Sequence, residues 1–105
     1  MRKPDYPDAD PRRWSLVDTY FSDLLCADDA VLIECLERNS RSGLPAHDVS
    51  ATQGQMLAIY AKMVGAKRVL EIGTLGGYST IRLARALPDD GVVVTIEANA
   101  NYADV

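Results

Sequence analysis

The sequence predicts an α/β protein in which N-terminal helices lead into one strand–helix–strand unit, and three observations carry that reading. Apolar residues recur at helical spacing through residues 11–65. The run Val69-Leu70-Glu71-Ile72 then breaks into glycines. A second run, Val92-Val93-Val94-Thr95-Ile96, follows within the roughly 30 residues that a crossover unit needs. At 105 residues the chain is one domain at most.

Residues 1–10, rich in Pro, Asp and charge, read as a flexible arm. Asp10-Pro11 starts the first helix: Asp10 can cap free N–H groups, and Pro11 takes the first helical position, where its missing donor costs nothing. Trp14, Val17, Phe21, Leu24 and Leu25 share one face of it, which is expected to be buried. A second helix is predicted from Asp28 to Ser42, with Val31, Leu32, Cys35 and Leu36 turned inward and Gly43 and Pro45 as its stop. Ser50-Ala51-Thr52-Gln53 is a capping-box pattern, in which hydroxyl and amide satisfy each other's orphan N–H groups. The third helix begins there, carries Met56, Leu57, Tyr60, Ala61 and Val64 along one stripe, and ends at Gly65. Val69 to Ile72 is then a short strand, Tyr78 to Leu87 a helix, Pro88-Asp89-Asp90-Gly91 a turn and Val92 to Ile96 a second strand. Such a crossover is right-handed and makes the two strands parallel.

Composition removes several function classes. The net charge is −4, and basic residues occur only singly or as the pairs Arg2-Lys3, Arg12-Arg13 and Lys67-Arg68, so no stripe is offered to a phosphate backbone and no nucleic-acid partner is expected. No apolar run reaches the ~18 residues of a membrane span, and the first residues lack the apolar core of a signal peptide. A cytoplasmic protein without a membrane partner is the reading. Cys26 and Cys35 fit neither zinc spacing nor a disulfide framework and read as buried thiols. His47 has no carboxylate or nucleophile at a meaningful spacing and reads as a surface residue; Trp14, Tyr20 and Tyr60 read as core or interface.

The glycine turn carries the functional question. In open α/β sheets ligands sit beyond the carboxyl ends of the strands, where glycines let the backbone approach and a helix start offers N–H groups. The turn could also be a tight connection and nothing more. The dinucleotide fingerprint counted from Gly73 needs glycines where Leu75 and Tyr78 stand, and the phosphate loop needs a lysine, none of which occurs between Gly73 and Val105. Nicotinamide and nucleoside-triphosphate chemistry are both disfavoured.

What remains is Glu71-x-Gly73-Thr74-x-x-Gly77-Tyr78-Ser79 with Glu97 closing the second strand. This pattern resembles the first two motifs of the S-adenosylmethionine-dependent O-methyltransferases of the catechol and caffeoyl-CoA type. Gly43-Leu44-Pro45, Val49-Ser50 and Gly54-Gln55 ahead of Ala66-Lys67-Arg68-Val69 follow the order and spacing of that family, so the resemblance runs from about Asp28 to Val105. It implies a Rossmann-like methyltransferase sheet of which this chain holds the N-terminal helices, 11–65, and the first βαβ part of the S-adenosylmethionine-binding domain, 66–105.

Physical roles stand beside the resemblance. Gly73, without a Cβ, would let the cofactor's methionine portion touch the main chain. Ser79 would offer a hydroxyl and an N–H to its carboxylate, and Glu97 would accept both ribose hydroxyls. Glu71, inside an apolar run, must be satisfied, either by the cofactor's cationic end or by orienting the turn through backbone N–H groups. Thr74 would contribute main chain and Leu75 a wall. Val49 resembles a position whose main chain touches the methionine end in the family, whereas on sequence alone it is loop packing.

In the family, methyl transfer to a small catechol-like acceptor uses a divalent metal such as magnesium, with ligands and a base on later strands. No position in this chain matches them, so no catalytic or metal-binding residue is assigned. The chain is read as the N-terminal half of such an enzyme, a truncated product or fragment. With both outer edges of a two-strand sheet unpaired it is expected to form homo-oligomers, to be a partly ordered globule or to fold only with a complementing partner, and alone to bind cofactor weakly or not at all and transfer no methyl group. The alternative is a non-enzymatic remnant or association module with a vestigial nucleotide pocket.

Overall fold

The computed structural model describes residues 11–105, so the Asp10 cap and the N-terminal arm lie outside the described residues. Three helices, α1 (Pro11–Leu25), α2 (Ala30–Arg41) and α3 (Ala51–Met63), precede β1 (Arg68–Ile72), α4 (Tyr78–Ala84), β2 (Val92–Ile96) and a short α5 (Ala100–Ala103). The two strands are parallel, with Leu70 opposite Val94 and Glu71 opposite Thr95. Gly73 N–H extends the ladder to the Ile96 carbonyl at 2.7 Å. Val69, Glu71, Val93 and Thr95 are half-buried, while Leu70, Ile72, Val92, Val94 and Ile96 stand on the exposed face.

Local chemistry explains where the helices begin and end. Asp29 caps α2 by accepting the Leu32 N–H at 3.1 Å. Ser50 and Gln53 form a complete capping box on α3, with Ser50 Oγ accepting from Gln53 N at 3.2 Å and Gln53 Oε1 from Ser50 N at 2.9 Å. Gly43 (φ +73°) and Gly65 (φ +61°) take the left-handed position after α2 and α3. The next N–H groups, Leu44 and Ala66, reach back to the carbonyls of Asn39 and Ala61. The helix after the glycine turn stops at Ala84, short of the expected Leu87: Ala86 and Leu87 bond three residues back to Leu83 and Ala84, because Pro88 disfavours helical geometry in the residue before it.

The core sits between α2 and α4. Leu32 (1% exposed), Cys35 and Tyr78 (2% exposed) are its centre, with Leu36, Val49 and Ile81 packed on it. Removing a Leu32-sized side chain from water contributes about 1.5–3 kcal/mol. Several sequence expectations about burial are corrected. The inward stripe of α3 is Gly54, Ala58 and Ala61, and of the expected stripe only Ala61 is buried. Met56, Tyr60 and Val64 are exposed, because the space over α3 is taken by α4 at close range: a Cβ on Gly54 would lie 3.0 Å from Arg82 Cγ and 3.3 Å from Tyr78 Cε1. No residue of α1 is buried; Trp14, Val17, Tyr20, Phe21, Leu24 and Leu25 all stand in the open, since periodicity makes a face but burial needs a facing layer that the described residues do not supply. Val31 is exposed too, and Cys26 is half-buried, whereas Cys35 is buried; both thiols are free.

Ser50→Ala removes one half of the capping box and should cost about 0.5–2 kcal/mol. Urea unfolding of the two proteins reads this as a shift in midpoint, and coincident midpoints would contradict it.

Candidate functional site

The turn from β1 into α4 is shaped by backbone angles that few residues accept. Gly73 (φ +89°) and Gly77 (φ +91°) are left-handed, and Leu75 (φ +50°) is too, although it carries a side chain. A strained Leu75 persists only if its surroundings hold it. Glu97, just beyond β2, supplies the hold: its Oε2 accepts the Thr74 N–H at 3.0 Å and the Leu75 N–H at 2.8 Å, and its Oε1 accepts the Asn99 N–H at 2.9 Å. These N–H groups, Asn99 first and Leu75 next, keep the Glu97 carboxyl below its ordinary pKa.

Glu71, at the end of β1, faces α4 and β2 together. Its carboxylate accepts the hydroxyls of Ser79 and Thr80 and, at 2.8 Å, that of Thr95. Thr95 Oγ1 lies 2.6 Å from Thr74 Oγ1, so one chain of hydroxyls joins the turn, the second strand and the first turn of α4 through Glu71.

Two expectations change here. Orientation of the turn through backbone N–H groups was one option for Glu71; Glu97 performs it, because it lies beyond the strand end where those N–H groups point. The Ser79 hydroxyl is turned to Glu71, the nearest charged acceptor, rather than outward. Gly73, Thr74 and Glu97 are brought together directly, and Glu71 with Ser79; Val49 is half-buried against the Leu32, Cys35 and Tyr78 core. His47 is exposed. Thr80 and Thr95 were missed, though Thr95 is legible once the strands are put in register, as it pairs with Glu71.

A Cβ at Gly73 would meet nothing within 4 Å, so the strand tip is open to a ligand between two carboxylate-bearing strand ends. That donor set, acceptors beside bare backbone, suits a small molecule with a cationic group and free hydroxyls. Among the described residues no group of three or more His, Cys, Asp or Glu is placed to hold a metal ion.

Fold and turn together define an α/β protein with an open glycine turn at the carboxyl ends of parallel strands, the place where such sheets hold ligands. The chain belongs to the O-methyltransferase family, whose model matches residues 23–105. It is 45% identical over 89 residues to a catechol O-methyltransferase of Niastella koreensis, covering 85% of this chain and 40% of that protein. The solved O-methyltransferase from Bacillus cereus in complex with SAH is 53% identical, with a TM-score of 0.85 over 89% of this chain and 42% of that one. The O-methyltransferase TomG from Streptomyces achromogenes, solved with SAM, is 48% identical, with a TM-score of 0.81 over 89% of this chain and 42% of that one. The chain thus spans about 40% of the length of the catechol O-methyltransferases it matches.

Because the folded state lowers the Glu97 pKa, its contribution to stability is present above the ordinary value of 4.5 and is lost as pH falls through the lowered one. Glu97→Gln should therefore flatten the dependence of unfolding free energy on pH below 4.5. Urea titrations at a series of acid pH values measure the two slopes, and equal slopes would show that the turn does not hold this carboxylate.

Proposed function

We propose that this chain forms the cofactor-holding part of an S-adenosylmethionine-dependent O-methyltransferase that acts on a hydroxyl of a small, catechol-like acceptor. The observation that carries the proposal is the pair of carboxylates, Glu71 and Glu97, at adjacent parallel strand ends around an open left-handed Gly73. Relatives of the same fold solved with SAH or SAM support it. When bound, the cofactor supplies an electrophilic methyl group on a sulfonium centre.

In this reading Gly73 and Thr74 offer main chain to the methionine portion, and Glu97 takes a ribose hydroxyl on the Oε1 lone-pair site that its three N–H bonds leave open. Glu71 faces the cationic end, with Ser79 and Thr80 holding its carboxylate in place. Val49 belongs to the methionine end as a main-chain contact carried on the core packing beneath the turn. Among the described residues no cluster of three or more His, Cys, Asp or Glu is placed to hold a divalent metal such as magnesium. The free thiols of Cys26 and Cys35 fit a reducing, cytoplasmic setting.

A second reading, an association module, is favoured by the open apolar faces of α1 and the sheet, and self-association into a homo-oligomer belongs with it. Light scattering on the 105-residue chain tests that reading.

Glu97→Ala should weaken cofactor binding at least tenfold, equivalent to about 1.4 kcal/mol. SAH titrated into both proteins, by calorimetry or, for weak binding, by ligand-observed NMR, gives the ratio. An unchanged dissociation constant would remove Glu97 from the site.

A further inference from the structure

Gly76 is a glycine of the turn that no left-handed angle demands, since the positive φ values there belong to Gly73, Leu75 and Gly77. The reason for its bare Cα lies on α2. A Cβ at Gly76 would fall 1.8 Å from Asn39 Oδ1, 2.1 Å from Cγ and 2.3 Å from Nδ2, far inside any real contact. Asn39 has no room to step aside. It is 3% exposed, its Nδ2 donates to Asp48 Oδ1 at 3.0 Å and lies 4.0 Å from Cys35 Sγ. Its Oδ1 is buried without a hydrogen-bond partner. A buried acceptor left unpaired costs free energy, so a packing function alone would be served better by an apolar side chain. One helical turn earlier, the Cys35 thiol donates to the Gly76 carbonyl at 3.3 Å, and burial pushes that thiol's pKa up, which keeps it a protonated donor. Helix α2 therefore grips Gly76 twice, at its Cα and at its carbonyl.

We infer that Asn39 is a positioning residue for the glycine turn: its amide occupies the place of the missing Gly76 side chain and sets where the turn sits over α2. Gly76 is glycine for the sake of Asn39, not of a ligand. Glu97 then has the Thr74 and Leu75 N–H groups delivered to it in fixed places. The functional half, an effect on cofactor affinity, rests on the proposed methyltransferase reading; the geometric half does not.

The test is a double-mutant cycle on the 105-residue chain: wild type, Gly76→Ala, Asn39→Ala and the double variant. Two readouts need no ligand, hydrogen exchange at the Thr74 and Leu75 amides and the NMR titration of the Glu97 carboxyl; the third is SAH titration. Gly76→Ala should speed exchange of both amides by roughly tenfold or more and return the Glu97 titration toward its ordinary value. The double variant should recover to the level of Asn39→Ala, because deleting the amide opens the space the new methyl group fills. A protein that had merely lost helix packing would show no such recovery. A Gly76→Ala protein indistinguishable from wild type, or a double variant no better than Gly76→Ala, overturns the inference. If Gly76→Ala does not fold, a folded double variant supports the inference and an unfolded one overturns it. An exchange cycle that holds while Glu97→Ala leaves SAH affinity unchanged sinks the proposed cofactor role and leaves Asn39 in place; SAH binding that depends on Glu97 without the cycle does the reverse.

Discussion

One carboxylate oxygen organises the helical layer. Asp28 Oδ1, in the connection between α1 and α2, accepts the Tyr78 hydroxyl at 2.7 Å and the Arg82 guanidinium at 2.6 Å. Arg82 also donates to the Cys26 carbonyl and to Gln55 on α3, and lies 5.6 Å from the centre of the Tyr78 ring. Tyr78 and Arg82 are one turn apart on α4, so a single helical turn is tied both to the α1–α2 connection and to α3. Stranding one partner of such a buried pair costs about 3–5 kcal/mol, a large share of the roughly 5–15 kcal/mol that holds a small domain together. Burial pushes the Tyr78 pKa up to about 12, so it stays a donor across the physiological range.

Because Tyr78 is the first residue of α4, this anchor also decides where the glycine turn must end. The turn is then held by two carboxylates with different partners. Glu97 takes main-chain N–H groups and so fixes backbone direction, while Glu71 takes hydroxyls and so fixes side chains of α4 and β2. Neither role exchanges easily with the other, since one carboxylate faces bare peptide and the other faces a rank of Ser and Thr.

The local grammar of the sequence was largely legible: Ser50 and Gln53 name the start of α3, Gly43 and Gly65 the ends of α2 and α3, and Val92 to Ile96 the second strand without error. These signals are short-range, each settled by a few neighbouring residues. Burial was not legible to the same degree. A reading that ranks side chains by size looks for Met56 and Tyr60 inside, yet close approach of two helices selects Gly54, Ala58 and Ala61. The candidate site followed the same division: the motif singled out Gly73, Thr74 and Glu97, which the fold brings together, whereas the turn of Ser79 toward Glu71 and the hydrogen bond from Thr95 depend on strand register. Asn39 had no signal at all, because its partner Gly76 lies in the turn, far along the chain and beyond any local pattern.

The span between the turn and its brace has a consequence for how the protein is made. Thr74 and the carboxylate that receives its N–H are 23 residues apart. At a synthesis rate of about 5–20 residues per second the turn waits roughly 1–5 s after its own translation before that carboxylate has even been polymerised, and longer while it clears the ribosome. Through that interval Leu75 has no reason to hold a left-handed angle. The helices can already gather on Asp28, so the nascent chain acquires its helical scaffold first and the geometry of its glycine turn last, when β2 arrives.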